Sequence, residues 1–132
     1  MNTSKTAVII SISSDIGTAM AIRWMDRGWT ILGTYRTFSQ SVLDLKQKGA
    51  TLFHCDLLDE ESIQKACKQL TKKWDVLIFC PGSTEPIGQF LQCSFKEWSS
   101  SINLNFNNQL SIAHKLLPFR NLSAQIEPCV LF

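Results

Sequence analysis

Short apolar runs alternate along this chain with segments in which apolar residues recur every three or four positions. Ala7-Val8-Ile9-Ile10 breaks into small polar residues from Ser11 to Asp15, which predicts a strand, a tight turn and a helix start. From Ile16 to Arg27 the apolar positions Ile16, Ala19, Met20 and Met25 mix with Arg23 and Asp26. Gly28 follows where a left-handed residue ends a helix. Trp29 to Tyr35 reads as a second strand ending at Arg36, and Val42 to Lys46 as a short helix stopped by Gly49. Ala50 to Cys55 is a third strand with Asp56 at its carboxyl end. Asp59 caps a helix whose Ile63, Ala66, Cys67 and Leu70 form one apolar stripe. Trp74 to Cys80 is a fourth strand, apolar almost throughout as in a parallel sheet covered on both faces, and Pro81-Gly82 closes it. The loop from Ser83 to Cys93 is longer than a turn and is a candidate ligand cover. Ser94-Phe95-Lys96-Glu97 is a capping box opening the longest helix, with Trp98, Ile102, Phe106, Leu110, Ala113 and Leu117 on one side and Pro118 as its stop. Cys129 to Phe132 reads as the start of a fifth strand, inside which the chain ends.

Strict alternation of strand and helix predicts a doubly wound α/β domain over residues 1–132, a parallel sheet of about five strands with helices on both faces, truncated at the fifth. Ligands of such sheets bind beyond the carboxyl ends of the strands. Ser11 to Gly17, Arg36, Asp56 and Pro81-Gly82 all fall there. The turn before Gly17 offers a helix N-terminus to a phosphate, or is an ordinary turn capped by Ser14 or Asp15.

Composition narrows the partners. With 45% apolar and 18% charged residues the chain is globular, and its net charge of +2 is scattered, only Lys72-Lys73 being adjacent among the lysines. No basic stripe of the kind a nucleic acid needs is present. No apolar run has the length of a membrane span, and the N-terminus lacks a signal-peptide pattern. Five cysteines without CxxC spacing read as free thiols in a reducing compartment, so the cytoplasm is expected. His54 and His114 have no partner at ligand spacing, so no metal site is expected.

In their order and spacing these pieces resemble the short-chain dehydrogenase/reductase family. Its TGxxxGxG turn aligns with Ile10 to Gly17, with Ser11, Asp15 and Gly17 at the glycine positions. Its acid after the third strand aligns with Asp56-Leu57, and its NNAG segment with Phe79-Cys80-Pro81-Gly82. Pro86 to Phe90, Trp98 and Asn105 complete the match. The resemblance implies a Rossmann-like fold in which Ser13, Ser14 and Ile16 face the cofactor phosphates. It also implies that Asp56 binds the adenine amino group, Leu57 offers backbone contacts, and Cys80, Pro81 and Gly82 line the ribose and nicotinamide side. Asn105 matches an asparagine that holds a water in the proton relay and bends the long helix. Alternatively, Asp56 caps the following turn and Asn105 satisfies backbone groups.

No acid lies between Arg27 and Asp44, and Arg36 ends the second strand, which favours NADP over NAD because a guanidinium pairs with a 2′-phosphate. The family's catalytic Ser and YxxxK pair have no counterpart, the one tyrosine being Tyr35. The expectation is therefore the NADP-binding part of an oxidoreductase that moves hydride between NADP(H) and a carbonyl or alcohol, inactive alone, with Asn105 as a supporting residue. Alternatives are a non-catalytic dinucleotide-binding or interaction module and a receiver-type signalling domain with Asp56 as phosphoacceptor. The missing half would leave apolar surface open, so self-association is expected through the helix Ser94 to Leu117 or the fifth-strand edge.

Overall fold

A computed structural model describes residues 4–123 and 125–132. Five strands, β1 (Thr6–Ile10), β2 (Thr30–Tyr35), β3 (Thr51–His54), β4 (Val76–Phe79) and β5 (Cys129–Leu131), form one sheet in the order β3-β2-β1-β4-β5. Every pairing is parallel, with Ile9 beside Gly33 and Ile10 beside Phe79. Parallel pairing requires crossovers, and α1 (Asp15–Asp26), α2 (Gln40–Lys48) and α3 (Glu60–Gln69) supply the first three. The strand order reverses beside β1: its chain leaves toward β2 on one side, while β4 returns on the other. The predicted doubly wound fold is present.

Alternate residues of the central strands serve two cores. Ala7, Ile9 and Ile31 meet Ala21 of α1 and Val42 and Leu45 of α2. Val8, Ile10 and Leu77 meet Ile63 and Ala66 of α3 and Ile112 and Leu116 of α5 (Asn108–Leu116). At the amino edge of the sheet Trp74 is fully buried, and its indole N–H donates to the Leu116 carbonyl (2.9 Å).

The expected long helix is not uniform. It consists of α4 (Phe95–Ile102), a π segment (Asn103–Asn107) and α5. The capping box is formed as expected, Ser94 Oγ accepting from the Glu97 amide while the Glu97 carboxylate accepts from the Ser94 amide. The wider π turn shifts the helical register, so the predicted apolar side does not face the core throughout. Ile102, Phe106 and Leu110 are 54%, 59% and 43% exposed and Leu117 is exposed too, while Gln109, Ile112, Ala113 and Leu116 are buried. Pro118 lies inside a 3₁₀ turn (Leu117–Phe119). In α1 the buried residues are Gly17 and Ala21, while Ile16 is exposed. The Ser83 to Cys93 loop carries a 3₁₀ turn at Phe90–Gln92.

Candidate functional site

The turn after β1 is held from below by β2. The Ser11 amide donates to Thr34 Oγ1 (3.2 Å), and the Ile12 amide to the Thr34 carbonyl (2.9 Å). Ser11 has φ 61°, a left-handed conformation that costs an L side chain about 1 kcal/mol. Ser14 is the N-cap of α1, its Oγ accepting from the Gly17 amide (3.0 Å). That settles the choice between Ser14 and Asp15. Asp15 is the first helical residue and is exposed. A Cβ on Gly17 would sit 2.9 Å from the Ile12 Cα and from the Ile12 and Ser11 carbonyl oxygens. Gly17 is there so that the helix can approach the turn.

The amides of Asp15 and Ile16 have no carbonyl four residues back within α1, and they take no other partner among the described residues. These two N–H groups, at the positive end of the helix dipole, are what the turn offers an anion. The Asp15 carboxylate lies at the same end and opposes that anion electrostatically.

Arg36 follows β2 directly, is exposed and joins no ion pair among the described residues. Beyond β3 the Asp56 amide donates to Ser62 Oγ (2.8 Å), and Asp56 Oδ1 accepts from the Leu58 amide (2.9 Å). Asp56 therefore caps its own turn with one carboxylate oxygen, leaving Oδ2 uncommitted. The Leu57 side chain is buried in the core, and its carbonyl accepts from Asn108 Nδ2.

Beyond β4 the Cys80 amide is used by the sheet, donating to the Ile10 carbonyl (2.9 Å). Pro81 has no N–H, so this segment offers carbonyls and the Gly82 amide. A Cβ on Gly82 would meet nothing within 4 Å. Space is open above it. Asn105, in the π segment, grips the next residue at two points: Oδ1 accepts from the Ser83 amide and Nδ2 donates to the Ser83 carbonyl, each at 3.0 Å. Its side chain satisfies backbone groups and ties the β4 loop to the long helix. On one side of this clamp lies a hollow of about 260 Å³ whose lining includes Leu58, Ser83, Pro86 and Lys96. On the other, Phe79, Pro81, Phe106 and Phe132 are among the residues around a space of about 430 Å³.

Burial governs the thiols. Cys55 is pushed up to about 12, mainly by burial, with Cys67, Asp56 and Asp59 adding repulsion. Burial also raises Cys67 and Cys80. No described helix is long and apolar enough to cross a membrane, and among the described residues no three His, Cys, Asp or Glu side chains cluster as metal ligands would.

The sequence-predicted residues sit on the turn, the first turn of α1 and the loops at the carboxyl edge of the sheet, and Asn105 reaches that edge from the π segment. Sequence reasoning missed the supports: Thr34, the Thr18 hydroxyl donating to the Ile12 carbonyl (3.0 Å), Ser62 and Asn108. It also missed Gly33, where a Cβ would lie 2.8 Å from the Ile9 carbonyl oxygen. A glycine inside the apolar run of β2 was the one available signal.

A doubly wound α/β protein with its loops gathered around the point of strand reversal is thus defined. The family model for enoyl-(acyl carrier protein) reductase matches residues 11–126. The chain belongs to the short-chain dehydrogenase/reductase family. It is 29% identical over 121 residues to serine 3-dehydrogenase of Rhizobium radiobacter, covering 87% of this chain and 48% of that one, so it spans about half the length of the curated relatives it matches. Among solved structures it is similar to a short-chain dehydrogenase/reductase of Serratia marcescens (17% identity, TM-score 0.79, 89% of this chain and 51% of that one). It is also similar to a Burkholderia multivorans protein described as a short-chain dehydrogenase/reductase with bound NADP (19%, TM-score 0.77, 90% and 55%). An NADH-dependent reductase complexed with NAD matches at 18% identity and TM-score 0.75, over 88% and 52%. Membership displaces the receiver-domain alternative.

Proposed function

We propose that this chain is the dinucleotide-binding part of a short-chain oxidoreductase, with NADP preferred over NAD. The observation that carries the reading is the pair of uncommitted amides of Asp15 and Ile16 opening toward the loop edge that also bears the unpaired Arg36. The pyrophosphate meets the amides and dipole of α1, Arg36 meets the 2′-phosphate, and Asp56 Oδ2 meets the adenine amino group. Gly82 leaves room for the ribose. When bound, the nicotinamide supplies hydride for a carbonyl or accepts it from an alcohol. The 132 residues by themselves bind without turning over, because Tyr35 packs beside Phe38 and His54 with Lys46 above it and is no general acid for substrate. Titration with NADPH and NADH, followed by calorimetry, tests this. The expected result is tighter binding of NADPH by roughly tenfold, lost in Arg36→Ala, with no carbonyl-dependent oxidation of NADPH. Equal affinity for the two dinucleotides, or ordinary reductase turnover, overturns it.

The exposed stripe Ile102, Phe106 and Leu110, together with Phe132, supports the reading that copies associate through this side. Sedimentation that stays concentration-dependent in Phe106→Glu contradicts it. The cytoplasmic placement rests on five free thiols.

A further inference from the structure

One peptide group beyond β3 is held at both ends. The Leu57 carbonyl accepts from Asn108 Nδ2, and the amide of that same Leu57–Leu58 peptide donates to Asp56 Oδ1. A trans peptide directs its C=O and N–H oppositely. Asn108 therefore pulls from the α5 side, and the carboxylate is held on the other. The Asp56 amide is fixed separately by Ser62 Oγ. We infer that Asn108 is a positioning residue: through the Leu57–Leu58 peptide it fixes the rotation of the Asp56 carboxylate, so that Oδ1 is engaged by the Leu58 amide and Oδ2 is presented as a pure acceptor to the purine. This rests on the proposed dinucleotide site.

The chemistry that follows is base selection. An ionised carboxylate oxygen with no proton to give accepts from the 6-amino group of adenine and repels the 6-oxo group of hypoxanthine. A carboxylate free to rotate discriminates less, because water can enter and the oxygens exchange roles. Asn108 sits at the first position of α5, directly after the π segment whose Asn105 grips Ser83, so one stretch of helix braces the loops of both β3 and β4.

The test compares NADPH with its hypoxanthine analogue, using calorimetry on the 132-residue chain, on Asn108→Ala and on the isosteric Asn108→Asp. The unsubstituted chain is expected to favour the adenine form. Both variants should lower that preference about fivefold, through weaker binding of the adenine form with the hypoxanthine form unchanged. Asn108→Asp tests the donor without altering volume, since a carboxylate cannot donate to the Leu57 carbonyl. A general loosening of the fold would weaken both dinucleotides together, and that outcome, or an unchanged preference, overturns the inference while leaving the dinucleotide site standing. Absence of binding of either dinucleotide to the unsubstituted chain overturns the site and the inference with it.

Discussion

The two glycines at the candidate site mark two kinds of construction. Around Gly17, α1 presses on the turn after β1 until a single methyl would collide with three backbone atoms of Ser11 and Ile12, and the turn is fastened by Thr34, Thr18 and Ser14. Around Gly82 a methyl meets empty space, and the neighbouring loop is tied to the long helix by two side chains, Asn105 at Ser83 and Trp98 at the Phe90 carbonyl. The contrast extends across the sheet. On one side of β1, α1 and α2 cover β2 and β3 with buried residues. On the other, β5 is only partly covered and the helix beside it shows Ile102, Phe106 and Leu110. The two glycines thus differ in what a side chain would meet: at Gly17 it would strike the turn, whereas at Gly82 it would enter open space.

The largest effect should come from exchanging each glycine for alanine. Intrinsic propensity alone makes Gly17→Ala favourable within a helix by about 1 kcal/mol. The backbone collision reverses the sign, and a loss of about 2–3 kcal/mol is expected in urea unfolding. Gly82→Ala should leave the unfolding midpoint within about 0.5 kcal/mol of the original while weakening NADPH binding. A Gly17→Ala chain as stable as the original, or a Gly82→Ala chain that binds normally, breaks the comparison.

Ser11 tests the tight side from the opposite direction. Its left-handed backbone is occupied by a residue with a Cβ, so the turn carries strain that glycine would relieve. Ser11→Gly should raise stability by about 0.5 kcal/mol, the relief exceeding the added freedom of the unfolded chain. An unchanged or lower unfolding midpoint means that the turn is not strained.

These residues also show where a sequence speaks. Strand and helix alternation was visible because each buried element must repeat its apolar residues at its own period, and α3 followed its predicted stripe with Ile63, Ala66, Cys67 and Leu70 all buried. The same rule misjudged Ile102, Phe106 and Leu110, since a π turn changes which residues share a face and leaves no mark in the spacing. The backbone positions of the site were legible because turn chemistry is local. Thr34, Ser62 and Asn108 were not, because each acts on a residue from 6 to 51 positions away. An asparagine offering its amide to a distant carbonyl looks, in the sequence, like any helix-surface asparagine.

The smallest effect belongs to the open side, where α4 begins. The Glu97 carboxylate lies below its ordinary value of 4.5 because the Ser94 amide, and then the Ser94 hydroxyl, donate to its ionised form. A depressed carboxylate stabilises the helix start at pH above the unfolded value and loses that contribution as pH falls through the folded one. Glu97 is fully exposed, so the gain is screened and local, fraying α4 rather than unfolding the chain. Following the Glu97 side chain by NMR should give a midpoint below 4.5, restored toward it in Ser94→Ala. Hydrogen exchange of the Glu97 and Trp98 amides should quicken over the same acid range while the Gly17 amide, on the tight side, keeps its protection. If acid loosened Gly17 together with Glu97, the two ends of the site would be one cooperative unit rather than two kinds of construction.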